Sequence, residues 1–204
     1  MSVISLPASR GNVLADTLLR RRGVATDLAL VLTGVAVVAV LAQVSIPLWP
    51  VPITGQTLGV ILVAANLGAR RGATSLGLYL LLGVAGLPIF ANLTGGPHSI
   101  GKPSFGFIIG FVAAAYAIGW LAEREWDKNF IKATVGFAAA SLIPFMIGIP
   151  YLALVLGTMG LDNSFGTVMV AGFYPFLLGG LIKALIAAML LPAVWKSVRR
   201  FGSE

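Results

Sequence analysis

The sequence predicts an all-α membrane protein built as a single bundle of six transmembrane helices. Of its 204 residues, 58% are hydrophobic and only 10% are charged, and the mean hydropathy is +0.96. This is more apolar surface than one soluble core of that size can bury, so lipid must solvate the chain. Helices satisfy their own backbone groups in lipid, and the apolar runs lack the alternation of barrel strands.

Six apolar stretches, each ended by glycine, proline or charge, are the candidate spans. They run over residues 27–48, 55–69, 72–90, 103–122, 133–156 and 172–195. The second has about fifteen residues where about twenty are usual, so we expect it to extend into residues 50–55 or to be broken. Residues 25–197 then form the membrane domain, preceded by a basic segment, 1–24, and followed by a basic tail, 198–204.

The distribution of cations predicts that both termini are cytoplasmic. Of the Lys and Arg residues, Lys102 is the one on the predicted exterior side of the membrane, and Lys183 lies inside a span. The remaining twelve lie on the opposite side, which the excess of positive charge marks as cytoplasmic. These are Arg10, Arg20, Arg21, Arg22, Arg70, Arg71, Arg124, Lys128, Lys132, Lys196, Arg199 and Arg200. Residues 1–24 lack the apolar core of a signal peptide; Val13, Leu14 and Leu18 would give them a short interfacial helix, and the alternative is a disordered tail.

Three helix faces carry small residues, and we expect them to point inward, where small groups let helices approach closely. They are Ala25, Ala29, Thr33, Ala36, Ala39 and Gln43 on the first helix, Gly72, Ser75, Tyr79, Gly83 and Gly86 on the third, and Gly106, Gly110 and Ala114 on the fourth. A stripe that the bundle does not use would instead dock a partner membrane protein.

Several chemistries are not favoured. Residues 96–102 match the start of a phosphate-binding loop, but Pro103 stands where a Mg²⁺-binding hydroxyl is required, so we expect no ATP site. All seven acids lie in predicted loops, tails or interfaces, which leaves no proton relay in the membrane. His98 is expected to be a solvated loop residue, and no nucleophile is paired with a base. We therefore predict no enzyme, metal site or cofactor, and no nucleic-acid partner, since topology explains the basic residues.

Lys183 is the strongest candidate site residue. It lies near the middle of the sixth span, where an uncompensated charge costs at least about 2.5 kcal/mol. The alternative is snorkelling, but the membrane surface is about 15 Å away, beyond the reach of a lysine stem. We expect the ammonium to contact a ligand oxygen or anion in a cavity.

Polar and aromatic residues near the exterior ends of the helices describe a small-molecule pocket, which is apolar with a few polar groups. The polar ones are Gln43, Thr54, Gln56, Asn92 and Ser104, and the aromatic ones are Trp49, Phe90, Phe107 and Tyr174. Each has a structural alternative: Trp49 and Tyr174 suit the interfacial aromatic belt, and Thr54 or Ser104 a helix cap.

Six motifs in order resemble the BioY family, the biotin-binding substrate components of energy-coupling-factor (ECF) transporters. They are Ala42-Gln43-Val44-Ser45-Ile46-Pro47, Val51-Pro52-Ile53-Thr54-Gly55-Gln56-Thr57-Leu58, Gly68-Ala69-Arg70-Arg71-Gly72, Tyr79-Leu80-Leu81-Leu82-Gly83, Gly86-Leu87-Pro88-Ile89-Phe90-Ala91 and Pro103-Ser104-Phe105-Gly106-Phe107-Ile108-Ile109-Gly110-Phe111. The resemblance covers about residues 27–195. It implies a six-helix, ECF S-component-like protein of the bacterial inner membrane that captures biotin from outside and binds no ATP itself.

The resemblance also implies partners and contacts. A membrane-embedded coupling protein (the T component) and a pair of ABC-type ATPases would energise uptake. The T component would contact Ala25, Ala29, Ala36 and Ala39 on the first helix. Asn92 and Lys183 match biotin-contacting positions of the family. From the chemistry of biotin, we expect the rings of Tyr79, Phe90 and Tyr174 to cover the apolar bicycle, with Gln56, Ser104 and Thr54 as further contacts.

One position departs from the family pattern. The last helix of the family reads Gly-Asp-x-x-Lys, whereas this chain has Gly179-Gly180-Leu181-Ile182-Lys183. Without an acid one turn away, the Lys183 ammonium would bind the ligand directly, be neutral, or find an acceptor on another helix. The alternatives to a biotin carrier are therefore a substrate component for another vitamin-like solute and a membrane assembly protein without a ligand. A channel is less favoured, because no filter segment repeats.

Overall fold

The computed structural model describes residues 13–18 and 23–201, and this part of the chain is helical almost throughout. Its helices are α1 (Leu14–Leu18), α2 (Val24–Gln43), α3 (Gln56–Leu67), α4 (Ala69–Val84), α5 (Phe105–Ala122), α6 (Phe130–Ala140), α7 (Ile143–Thr158), α8 (Phe165–Gly172) and α9 (Tyr174–Phe201). Between α2 and α3 the chain forms a two-stranded antiparallel ribbon, β1 (Ser45–Ile46) and β2 (Ile53–Thr54), in which Ser45 pairs with Thr54. Short 3-10 turns cover Ala91–Leu93, Pro97–Gly101 and Trp126–Lys128.

Four helical segments of the described chain are long and apolar enough to cross a membrane. They are Val24–Gln43, Phe105–Ala122, Phe130–Thr158 and Phe165–Val198, with mean hydropathies of 2.0 to 2.3. Helix α3 is apolar but has only 12 residues, and α4 has 16, with Arg70 and Arg71 near its start. The all-helical membrane class predicted from the sequence is confirmed.

One predicted span has an internal break. Residues 133–156 were expected to form one helix, but α6 and α7 are separated by a turn at residues 141–142. Pro144 lies at the start of α7, where its missing N–H is tolerated, and it could not continue α6. The last predicted span, 172–195, corresponds to α9, which begins at Tyr174 with Pro175 in its first turn and continues to Phe201; the short helix α8, which ends at Gly172, was not predicted.

Helix α5 lies at the centre of the bundle, between α3 and α4 on one side and α7 on the other. Glycines allow these close approaches: a Cβ on Gly110 would lie 2.6 Å from Pro144 Cα, and a Cβ on Gly72 would lie 2.9 Å from Ala64 Cα. The small-residue faces predicted for the third and fourth spans are buried except at Gly86. These faces therefore serve internal packing, as expected.

The small-residue face of α2 is different. Ala25, Ala29, Thr33 and Ala36 are exposed, and Ala39 is half-buried. The buried face of α2 instead carries three valines and two small residues. They are Val31, Gly34, Val35, Val38 and Ala42. The expectation that the alanine stripe points into the bundle is wrong for its first four residues, because the β-branched valines fill the core instead.

The described part of the N-terminal segment is fixed to the bundle. Val13 is 2% exposed and belongs to the main hydrophobic core, while Leu18 at the end of α1 is 57% exposed. Arg71 pairs with Asp16 of α1 at 2.8 Å and with Asp27 of α2 at 2.7 Å. The predicted short helix is present, but Val13 faces protein rather than lipid; residues 1–12 and 19–22, with the remaining predictions for this segment, lie outside the described chain.

A buried carboxylate joins the turn between α5 and α6 to the last helix. Asp127 is 1% exposed, and its Oδ2 accepts a hydrogen bond from Trp195 Nε1. Lys128 Nζ lies 4.5 Å from the centre of the Trp195 ring and 2.8 Å from Glu125 Oε1. Because desolvation disfavours the ionised form, the pKa of the Asp127 carboxyl is raised above its ordinary value.

Candidate ligand-binding site

A cavity of about 350 Å³ lies where the ribbon, the loop before α5 and the first three turns of α9 meet. Residues 47–54 form one wall, the loop residues 90–92, 94 and 102–104 a second, and α5 with Gly179, Gly180 and Lys183 of α9 a third. The volume falls in the range of small-molecule sites. The cations lining it are Lys102 and Lys183, and none of its described lining residues is acidic.

Lys183 is compensated by a backbone oxygen that is 129 positions distant in the sequence. Its Nζ donates a hydrogen bond to the carbonyl oxygen of Thr54 at 2.6 Å, which links α9 to β2. Of the three possibilities left open by the sequence, the structure thus supplies an acceptor on another element. An ammonium has three N–H donors, so two remain for a ligand.

A chain of hydrogen bonds runs from the cavity wall into the core. Thr54 Oγ1 donates to Gln56 Oε1 at 2.9 Å, Gln56 Nε2 donates to the Tyr79 hydroxyl at 2.7 Å, and that hydroxyl donates to Ile89 O at 2.9 Å. All three side chains are buried. Thr54 and Gln56 line the cavity, whereas Tyr79 lies behind it and orients Gln56. Because every member is satisfied, the network stiffens this wall.

Phe90 connects this network to the aromatic lining. Its ring is 3% exposed and meets the Tyr79 ring edge-on, with 5.4 Å between centroids, and the Phe105 ring at 6.4 Å. The aromatic residues chosen from the sequence did not include four further phenylalanine rings of the lining, which belong to Phe105, Phe111, Phe145 and Phe176. Phe176 lies seven residues before Lys183 in one helix, so helical spacing could have placed both on the same face.

The loop after α4 presents Asn92 to the cavity in a left-handed conformation, with φ of 58°, which asparagine tolerates better than most residues. Its Oδ1 accepts a hydrogen bond from Ser45 Oγ at 2.7 Å, which leaves its amide N–H groups for a ligand. Gln43 holds the same loop, because its Nε2 donates to Phe90 O and its Oε1 accepts from Leu93 N. Gln43 therefore supports the site from outside the lining.

The remaining predicted contacts differ in position. Ser104 lines the cavity at the start of α5, and its side chain makes no capping hydrogen bond. Trp49 lines the cavity although it is 71% exposed. Tyr174 lies outside the lining and is 57% exposed, a position typical of the interfacial belt. A ligand role for each of these residues stays a prediction.

Gly180 leaves empty space where the family pattern has an acid. It lines the cavity, and a Cβ built on it would meet nothing within 4 Å. A Cβ can therefore be added there without displacing its neighbours.

Sequence reasoning missed two serines and a lysine of the lining. Ser99 is 2% exposed, and its Oγ has no hydrogen-bond partner among the described residues. Ser141 is also buried, but its Oγ donates to Phe137 O at 2.7 Å. Lys102, treated above as a topology marker, lines the cavity and is half-buried. These loop positions have no periodicity that could have indicated burial.

Comparison with known proteins gives one consistent family. The BioY family model matches residues 12–200. The biotin transporter BioY of Rhizobium etli is 36% identical over 167 residues, which are 78% of this chain and 86% of that protein. The biotin transporter BioY of Thermotoga maritima is 36% identical over 155 residues, which are 76% of this chain and 87% of that protein. A crystal structure of the S-component for biotin from an ECF-type ABC transporter aligns with a TM-score of 0.71 at 23% identity, over 84% of this chain and 92% of that one.

Proposed function

Because the chain belongs to the BioY family, we propose that it is the biotin-binding substrate component of an ECF transporter. It captures biotin outside the cell and delivers it with an ATP-driven module, so it is a transport protein and not an enzyme. The observation that carries the proposal is the cavity of about 350 Å³ with Lys183, the buried amide of Gln56 and phenylalanine rings in its walls.

The chemistry of the lining suits biotin, which combines an apolar bicycle, a polar ureido head and a carboxylate tail. The rings of Phe90 and its aromatic neighbours cover the bicycle, with Tyr79 holding Phe90 and Gln56 in place. The free N–H donors of Lys183 match the ureido oxygen, and Asn92 offers amide donors from the opposite loop. Thr54 and Ser104 complete the polar part of the site.

We further propose six spans, in which α3 and α4 cross the membrane together with the four longer segments, in the bacterial inner membrane. Both termini then lie on the cytoplasmic side with the excess of Lys and Arg. The exposed face of α2, Ala25, Ala29 and Ala36, with the half-buried Ala39 at its end, is the contact for the T component. Small exposed residues support this assignment because they let another helix approach closely. The ATPase pair binds on the cytoplasmic side.

A second candidate is a substrate component for another vitamin-like solute. The observation that favours it is Gly180, which removes the acid expected to accept hydrogen bonds from the ureido N–H groups. The open space around Gly180 admits a ligand of different shape.

The test is ligand binding to the protein purified in detergent. We expect saturable binding of radiolabelled biotin, and thermal stabilisation equivalent to about 2.7 kcal/mol at 100 times the dissociation constant. The same measurements with a panel of other water-soluble vitamins distinguish the second candidate function from the first. Stabilisation by another vitamin but not biotin would reject the biotin assignment, and no stabilisation by any of them would favour an assembly protein without a ligand.

A further inference from the structure

The loop before α5 brings a second cation to the cavity, and the proposed contacts leave it unused. Lys102 lies three residues before α5 and lines the cavity from a half-buried position. It forms no ion pair with any described acid. Lys183 on the opposite wall already bonds to Thr54 O. The lining thus has two positive charges and no described carboxylate to balance them, which favours an anionic ligand group.

Ser99 lies in the same turn as Lys102. The backbone N–H of Lys102 donates to Ser99 O at 3.1 Å, which closes the turn. Ser99 lines the cavity, and its Oγ is buried without a partner in the described chain. A buried hydroxyl that lacks a partner costs free energy, and a ligand oxygen can supply that partner after a χ1 rotation of the serine.

The turn is also held in place. Gly96 N donates to Gly83 O of α4 at 2.7 Å, and the Tyr151 hydroxyl of α7 donates to Ile100 O. Two helices therefore fix the backbone between these points. A fixed turn that carries a cation and an unsatisfied hydroxyl is organised before a ligand arrives.

We propose that residues 99–102 form the carboxylate subsite of the cavity, in which Lys102 supplies the counter-charge and Ser99 Oγ donates a hydrogen bond. This inference rests on the proposed function, because it assigns the biotin tail to this turn. A half-buried loop lysine keeps contact with water, as a strongly hydrated carboxylate requires, whereas Lys183 lies in the third turn of α9 and takes the less hydrated ureido end.

The experiment compares biotin with biotin methyl ester, which keeps the bicycle and lacks the charge. Lys102→Gln should weaken biotin binding about tenfold, in keeping with one hydrogen bond to a charged group, and ester binding less than about twofold. The matched control is Lys132→Gln, since Lys132 is exposed and outside the lining. It should bind both ligands as the wild type does.

A second pair of variants tests the hydroxyl. Ser99→Ala should weaken biotin binding several-fold without lowering the melting temperature of the ligand-free protein, because its Oγ makes no hydrogen bond to the described chain. Ser141→Ala should do the reverse, lowering the ligand-free melting temperature with little effect on biotin, because its Oγ is bonded to Phe137 O.

The outcomes separate the two levels of the proposal. If Lys102→Gln leaves biotin affinity unchanged, or weakens biotin and the ester equally, the carboxylate subsite is rejected while the biotin function stands. If the wild type fails to bind biotin, both are rejected. A loss confined to the charged ligand in Lys102→Gln and Ser99→Ala supports the subsite.

Discussion

Replacing Gly180 by aspartate should tighten biotin binding. A Cβ on Gly180 has no neighbour within 4 Å, so the first atom of the new side chain meets no steric obstacle. It would lie three residues before Lys183, on the same helix face, where an acid and a lysine interact favourably by about 0.2 to 0.5 kcal/mol. Lys183 has one hydrogen bond, to Thr54 O, and can turn a free N–H towards the carboxylate.

The magnitude follows from the hydrogen bonds that the carboxylate would accept from the ureido N–H groups. A hydrogen bond to a charged group contributes about 1.5 to 3 kcal/mol. Because part of this gain is offset by removing water from the carboxylate, we expect a net gain of about 1.4 kcal/mol, or tenfold in the dissociation constant. Gly180→Asn is the control, since it has nearly the same shape without the charge, and it should gain less than about threefold.

Isothermal titration of the purified protein with biotin measures both variants, and the melting temperature without ligand verifies that each is folded. Weaker binding in Gly180→Asp would refute the reasoning, because it would mean that this cavity needs the empty space at residue 180. An equal gain in Gly180→Asn would also refute it, since shape and not charge would then be responsible.

Three further predictions concern other parts of the molecule. Lys183→Met should weaken biotin binding at least about tenfold by removing a charged donor, while Lys196→Met, exposed on the same helix and outside the lining, should not; full affinity in Lys183→Met would remove Lys183 from the site. The raised pKa of Asp127 means that the folded state holds this proton more tightly than the unfolded state, so its contribution to stability should fall as the pH rises from about 4 through the raised pKa. Thermal melts should show a weaker fall over this range in Asp127→Asn, and an identical pH profile would contradict the assignment. Ala29→Leu, on the exposed face of α2, should leave biotin binding intact and abolish uptake in cells that contain the energising module; normal uptake would remove this face from the partner contact.

Local sequence patterns predicted a helix well where an apolar run was bounded at both ends by glycine, proline or charged residues. The stretch predicted over 103–122 corresponds to α5, Phe105–Ala122, because glycine and proline mark its start and charge its end. The break between α6 and α7 was missed since the apolar run continues through it, and only Pro144 marked the new start. The direction of the α2 stripe was also missed, because small residues suit a neighbouring helix inside the bundle and a partner outside it equally well.

The candidate site likewise contains residues that local sequence patterns revealed and contacts that only the tertiary fold creates. Asn92, Gln56 and Lys183 could be chosen because motifs and a charge within an apolar helix are visible in the sequence. The hydrogen-bond acceptor of Lys183 could not be predicted, because Thr54 O is a backbone atom that the tertiary fold brings to the ammonium group. The burial of Ser99 likewise depends on the anchoring of its turn by Tyr151 and Gly83, which are distant in sequence.

The bond from Lys183 to Thr54 O means that one amine both holds the ribbon and lines the cavity. A movement of that amine therefore also changes the position of residues 53–54 and, through the hydrogen bond from Gln56 to Tyr79, the contact with α4. Selection cannot retune the recognition of the solute at this lysine without also altering how firmly the outer wall is attached. Changes of specificity in such a protein should accordingly arise first at free positions such as residue 180, and only later at the lysine itself.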